Sequence, residues 1–437
     1  KNKGTFLLRI EDTDKKRSED IYTDQITESL GWLGFEYEGS PIKQSSRTKR
    51  YQEVIEYLLK TGSAYRCFAT VKELDKLRER SDKYLYPRIW RDRLKEEIDA
   101  KLKKKEDYVI RIKIPLNGII HFRDLVYGDI ETDCSELDDF IIARSDGTPT
   151  YNFTVVVDDY DMQISHVIRG EDHISNTPKQ ILLYDALKWD RPEFAHLPMI
   201  LGPDGKRLSK RHGAVGAQTY RDLGYLPDTL INYLALLGWN PGTEDEVFNF
   251  QFLMDNFSLE KINKKAAVFD NKKLDWLSGQ HIMKRESEEL LGSIRSVKPD
   301  WALNGSSDEY LYSIISHLKG RSKTLLDIIN QSEYFFNDPI KYNQNEVAKC
   351  WVEDTPELLK SFTEKVLAHL DWKGESIETC INDFSEKKSV SKGKLIQPLR
   401  LSLCGSLTGP SMTDLMILLG KETCIRRINN AQRILSK

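Results

Sequence analysis

No run of about 18 apolar residues occurs anywhere in the chain, and Lys1 to Arg9 lacks the apolar core and small-residue cleavage site of a secretory leader. Nothing in the sequence therefore points to a membrane or to export. Closely spaced cysteine pairs are also missing. The six cysteines, Cys67, Cys134, Cys350, Cys380, Cys404 and Cys424, are scattered without a C-x-x-C unit, so a disulfide framework is not expected and they read as reduced cytosolic thiols. There is no proline-rich or serine-rich linker and no solenoid-length repeat. A strong charge of one sign is lacking too, since the formal net charge is only −3. The average hides a local excess: from Glu386 to Lys437 there are ten basic and three acidic residues, a net of +7. That end is either a polyanion-binding surface or a solvated helical face.

What is present is core material. The 437 residues are 39% hydrophobic and 30% charged, which suits a globular protein of two to four compact units. Thr5 to Ile10 is a short apolar run that ends in Glu11-Asp12-Thr13-Asp14, the pattern of a buried strand delivering carboxylates at its carboxyl end. In parallel α/β sheets ligands bind at that end. Helical spacing is expected over Thr23 to Leu33 and Ser46 to Lys60, the second stopped by Gly62. From Tyr65 to about Asp146 the pattern changes to an inserted α+β module, with a charged helical stretch over Val71 to Lys105 and a strand over Tyr108 to Ile114. Ser145-Asp146-Gly147 predicts a hairpin turn, followed by a strand over Thr150 to Val157 and another over Ile164 to Ile168. After Tyr220 the chain reads as almost wholly helical.

The segment from Gly202 to Gly213 sets a Pro203-Asp204-Gly205 turn before Lys206, Arg207, Leu208, Ser209, Lys210 and Arg211. Its glycines are not spaced as in a Walker A or dinucleotide loop. Mobile ammonium groups with a hydroxyl can stabilise the charge that builds on departing pyrophosphate, and Lys210 is the first choice for that task. The same residues could instead form an exposed basic turn that touches RNA or water.

This loop resembles the KMSKS-type signature of class I aminoacyl-tRNA synthetases, in the K-L-S-K-R form of the glutamyl enzymes. Arg9 to Asp14, Tyr151-Asn152-Phe153 with Asp158-Asp159, Val167 to His173, Gly224 to Pro227, Val268 to Asp270 and Gln397 to Arg400 look like further blocks of bacterial glutamyl-tRNA synthetases, in order along the chain. The resemblance implies a multidomain protein with an α/β Rossmann-like catalytic domain carrying an α+β insertion, followed by all-α carboxyl-terminal domains. Its expected divisions are catalytic segments at 1–62 and 149–225, an acceptor-end module at 63–148, a helical stem-contact domain at 226–297 and an anticodon-binding region at 298–437.

By the same resemblance, Glu11 contacts the amino group of glutamate while Tyr151 and Arg169 hold its carboxylates. Asp172 contacts the nucleotide. Lys206, Arg207, Leu208, Ser209, Lys210 and Arg211 form the ATP loop, with Lys210 and Lys206 catalytic. Arg321 and Arg400 are the candidate tRNA contacts. The implied reaction joins L-glutamate to tRNA(Glu) through a glutamyl-adenylate, with ATP as co-substrate accompanied by Mg²⁺, in a monomeric cytoplasmic enzyme. His166, Asp172 and His173 are not expected to bind a metal. Some relatives hold zinc in the insertion, but Cys67 is followed by Phe68 and Ala69, so no zinc is expected here. Relatives begin with about 30 to 40 more residues that carry the HIGH-type motif, and a chain truly starting at Lys1 is expected to form no adenylate. A non-catalytic tRNA-binding derivative is the alternative in that case. A tRNA-base glutamylating enzyme would lack the carboxyl-terminal region, and a glutaminyl-tRNA synthetase would end in β-barrels.

Overall fold

The computed structural model describes residues 3–12, 20–78, 85–209, 211, 216–302, 305–365, 367 and 370–436. The chain divides into two compact units, one formed by Lys1–Ala214 with Leu234–Asp270 and the other by Val215–Tyr233 with Asn271–Lys437. No helix among the described residues is long and apolar enough to cross a membrane.

In the first unit, β1 (Arg9–Ile10) pairs in parallel with β2 (Ile42–Lys43). The ladder is shorter than the expected Thr5 to Ile10 strand, but the Phe6 and Leu8 carbonyls still accept from the amides of Glu38 and Ile42, each at 2.8 Å. Helix α1 (Asp20–Trp32) and helix α2 (Thr48–Lys60) match the expected helices to within three residues at each end. Helix α2 buries Tyr51, Val54, Ile55 and Leu58, one stripe at helical spacing.

The insertion contains β3 (Ala64–Cys67), α3 (Val71–Arg78), α4 (Lys95–Lys103), β4 (Val109–Ile112), β5 (Ile119–Asp124), β6 (Gly128–Asp133) and β7 (Ile141–Ala143). Strands β3, β4 and β7 form one antiparallel sheet. The predicted Asp-Gly turn is present: Gly147 has φ of +80°, and the Gly147 amide donates to the Arg144 carbonyl at 3.0 Å.

The expected strand over Thr150 to Val157 is instead helix α5 (Tyr151–Asp161). Three consecutive valines favour a strand locally, but packing overrides that preference, because Phe153 through Asp158 are all buried. Strand β8 (His166–Gly170), helix α6 (Thr177–Leu187) and strand β9 (Glu193–Leu197) then form a β-α-β unit with parallel strands in direct register. With β5 and β6 they make a mixed four-stranded sheet in the order β6-β5-β9-β8. Strand β10 (Ile200–Leu201) follows.

Helices α7 (Ala217–Asp222), α8 (Pro227–Leu236) and α9 (Phe250–Asn256) come next in the chain. The almost wholly helical remainder is interrupted by the two-residue strand β11 (Ala267–Val268), which pairs in parallel with β10. Two apolar residues are too few to signal a strand by periodicity.

The second unit is helical. Helices α10 (Asn271–Lys284), α11 (Ser287–Val297), α12 (Asp308–Leu318) and α13 (Leu325–Gln331) lead into further helices that end with Lys421–Leu435. One continuous core runs through them, from Leu226 and Ile282 through Phe362 and Leu399 to Ile428.

Candidate active site

Three polypeptide turns deliver the candidate residues in the first unit. The first follows β1. Arg9 donates from Nη1 to Asp159 Oδ1 at 2.8 Å, and its Nη2 lies 3.6 Å from Glu11 Oε1. Asp12 accepts from the Ser45 amide at 2.8 Å and from its hydroxyl at 2.6 Å, so this carboxylate staples the turn. Glu11, 43% exposed, is left facing outward. Thr13 and Asp14 lie outside the described residues.

The second turn follows β8. Arg169 is half-buried; its Nε donates to His196 Nε2 at 3.2 Å and its Nη2 to Thr177 Oγ1 at 2.8 Å. Among the described residues no carboxylate lies within ion-pair distance of this guanidinium. Tyr151, the first residue of α5, packs its ring 5.9 Å from that of His173. Burial raises the Tyr151 phenol above its ordinary value; the Glu11 carboxylate adds to the rise and the Arg169 cation opposes it. The fold therefore gathers Glu11, Tyr151 and Arg169 within electrostatic reach of one another.

The third turn is the basic segment, which forms a small hairpin. Leu201 bridges to Arg207, the Gly202 amide donates to the Lys206 carbonyl at 2.7 Å, and the Leu208 amide donates to the Ile200 carbonyl at 2.9 Å. Gly205, at φ of +73°, supplies the tight bend, and Asp204 Oδ1 accepts from the Lys206 amide at 3.0 Å. Arg207 Nη1 reaches Asp172 Oδ2 at 2.9 Å, which ties the hairpin to the turn after β8. Arg211 Nη2 stands 3.7 Å from Asp204. Lys206 and Ser209 are exposed and Leu208 is half-buried, while Lys210 lies outside the described residues. A Cβ on Gly170 would stand 2.7 Å from Asp172 Oδ1, so a side chain there would displace the Asp172 carboxylate.

Sequence reasoning gave no role to Glu171, Thr177, His196 or Asp124. Glu171 accepts from the Tyr127 hydroxyl and, at 3.0 Å, from the Met199 amide, joining the turn after β8 to the β5–β6 turn and to the residue before β10. His196 and Asp124 are fully buried, with Nδ1 and Oδ2 at 2.6 Å. The available signal was a histidine inside the otherwise apolar Phe194-Ala195-His196-Leu197 run.

The two candidate RNA contacts lie in the second unit. Arg321 donates to the Gly409 carbonyl and Arg400 to the Pro410 carbonyl, so both brace the loop before Met412. Gly409 permits the approach, since a Cβ would sit 2.9 Å from Arg400 Nη1. A hollow of about 580 Å³ opens between this loop and the segment around Tyr334, whose buried hydroxyl has no partner among the described residues.

Compared with known proteins, residues 1–276 match the catalytic domain of the class I tRNA synthetases (E and Q), and residues 285–432 match an anticodon binding domain. The glutamate–tRNA ligase of Legionella pneumophila (strain Paris) is 43% identical over 435 residues, covering 98% of this chain and 90% of that protein. Glutamate–tRNA ligase 1 of Caldanaerobacter subterraneus subsp. tengcongensis is 39% identical, with 99% and 92% covered. A crystal structure of a glutamate tRNA ligase from Elizabethkingia meningosepticum, in complex with its amino acid, superposes with a TM-score of 0.89 at 36% identity, over 99% of this chain and 93% of that one. With matches of this extent to the catalytic family and to its ligases, the chain belongs to the class I tRNA synthetases of the E and Q family.

Proposed function

We propose that this protein is a glutamate–tRNA ligase, which activates L-glutamate with ATP and esterifies it to the 3′ end of tRNA(Glu). The observation that carries the reading is the Arg169 guanidinium, drawn out of solvent and without a carboxylate of its own among the described residues. A half-buried cation in that state is stabilised by an incoming carboxylate, which its planar fork can grip with two hydrogen bonds. Tyr151 shares the second carboxylate contact, and the outward Glu11 takes the ammonium group. Asp172 and the segment from Lys206 to Arg211 hold the nucleotide, so glutamate and triphosphate meet where the hairpin is tied down by Arg207.

The glutamate α-carboxylate attacks the α-phosphorus of ATP, and pyrophosphate leaves toward Lys206 and Lys210. The terminal ribose hydroxyl of tRNA then displaces AMP from the glutamyl-adenylate. No covalent bond to the protein is needed, and positioning with electrostatic stabilisation supplies the rate. Magnesium arrives on the phosphate oxygens of ATP. The insertion at 63–148 serves the acceptor end, 226–297 the stem and 298–437 the anticodon, with Arg321 and Arg400 beside a hollow large enough for a splayed base. The enzyme works as a cytoplasmic monomer.

The test is aminoacylation of purified tRNA(Glu) and tRNA(Gln) with labelled glutamate, glutamine or aspartate. Glutamate is expected to be esterified, and Arg169→Ala should lower kcat/KM for glutamate by about 100-fold or more. Preferential charging with glutamine, or an unaffected Arg169→Ala enzyme, overturns the assignment.

A further inference from the structure

Strands β8 and β9 run side by side with Arg169 and His196 as register partners, so both side chains project from the same face of the sheet. Guanidinium Nε donates to His196 Nε2 at 3.2 Å, Nη2 donates to Thr177 Oγ1 at 2.8 Å, and the Tyr151 hydroxyl is a further partner. Nη2 also lies 3.5 Å from the His173 carbonyl. His196 Nε2 stands 3.1 Å from the Thr177 hydroxyl, and His196 Nδ1 stands 2.6 Å from Asp124 Oδ2. Asp124 accepts in addition from the amides of Val126 at 2.9 Å and Tyr127 at 2.8 Å, which lock its orientation. Asp124 and His196 are fully excluded from solvent.

The protons in this chain can be assigned one by one. An arginine Nε carries a hydrogen at every accessible pH and can only donate. His196 Nε2 must therefore present a lone pair, which puts the imidazole proton on Nδ1, where the Asp124 carboxylate accepts it. An imidazolium would set N–H against N–H next to a second cation. Burial pushes the His196 pKa down, Asp124 opposes the shift, and Arg169 and His173 reinforce it. The imidazole is thus held neutral in a single tautomer.

We propose that Asp124 and His196 are positioning residues for Arg169, with the carboxylate setting the imidazole tautomer and the imidazole holding the guanidinium in one orientation, beside the Tyr151 hydroxyl, for a substrate carboxylate. The proposal rests on the reading of Arg169 as a glutamate-binding residue. It gives the fully buried Asp124–His196 pair a task behind the cation. A carboxylate placed directly against Arg169 would neutralise it and close the site to the substrate. One imidazole further back, it orients the cation without occupying its face.

Glutamate is titrated calorimetrically into the full chain, in parallel with KM and kcat for glutamate and for ATP. In Asp124→Asn the side-chain amide favours the opposite tautomer, and in His196→Leu the acceptor is gone. Both should weaken glutamate by roughly tenfold to hundredfold, the scale of hydrogen bonds to charged groups, while the KM for ATP and kcat change little. In His196→Gln the amide oxygen can still accept from Arg169 Nε, so most of the affinity should return. If Arg169→Ala weakens glutamate but Asp124→Asn and His196→Leu do not, positioning is refuted and the binding role of Arg169 survives. If Arg169→Ala binds glutamate normally, the substrate reading itself has failed. Nitrogen-15 NMR of histidine in the unsubstituted protein decides the tautomer without any variant. A neutral ring protonated on Nδ1 is expected near neutral pH, and a proton on Nε2, or an imidazolium there, overturns the proposal.

Discussion

Asp158 is fully buried near the end of α5, where it accepts from Gln44 Nε2 at 2.8 Å, Arg47 Nε at 2.6 Å and the Tyr51 hydroxyl at 2.9 Å. A leucine there would leave those donors buried and unpaired, so Asp158→Leu should destabilise the first unit by about 3 kcal/mol or more, read from its urea transition. Its neighbour Asp161 sets a pH dependence. Burial raises the Asp161 pKa, but hydrogen bonds and charge from Arg50 and Arg47 outweigh that and bring it below the ordinary value. A depressed carboxylate stabilises the fold fully above its unfolded value of about 3.9 and loses that contribution as pH falls through the folded value. The stability difference between the unsubstituted protein and Asp161→Asn should therefore be constant near neutrality and shrink below about pH 4. A difference that stays level to about pH 3 would count against these ion pairs.

At the scale of elements, the turn between α7 and α8 depends on one glycine. Gly224 has φ of +80°, and a Cβ on it would meet the Leu326 amide nitrogen at 2.8 Å and Leu326 Cγ at 3.0 Å. Its carbonyl accepts from the Leu325 amide at 2.8 Å, which docks the turn on the start of α13. Gly224→Ala should cost about 2 kcal/mol or more in the helical unit, and an unchanged thermal midpoint would show that the contact relaxes freely. The basic loop was legible as a turn because Pro-Asp-Gly has few other uses, and α2 was legible from its apolar stripe. Helix α5 was not: Val155, Val156 and Val157 are all buried on a helix, a case in which neither period 2 nor period 3.6 shows. The misreading also put Asp158 and Asp159 at a strand end, whereas they close a helix and bind Arg9 and Arg47.

For the whole molecule, the net charge of −3 conceals basic groups placed by the helical unit. Arg321 and Arg400 each spend one hydrogen bond on the loop that they brace. Arg321, the more exposed of the two, should contribute to tRNA affinity through phosphate or base contact. Arg321→Ala is expected to weaken tRNA binding and to lower the slope of log K against log salt by about one if the contact is to phosphate. Glutamate affinity should stay the same, and filter binding at several salt concentrations with calorimetry for glutamate checks both parts.

Local order along the chain determined a good deal by itself: the division into α/β and helical halves, the carboxylates after β1 and the cationic hairpin. These are properties of neighbours in sequence, where turn chemistry and apolar spacing act over a few residues. Only the tertiary structure decided that Arg207 lands on Asp172, that α5 is a helix, and that Asp124 stands behind His196 and Arg169. Asp124 and His196 are 72 residues apart. Their partnership arises from strand pairing in a sheet, and no pattern along the chain encodes which buried polar groups will meet across it.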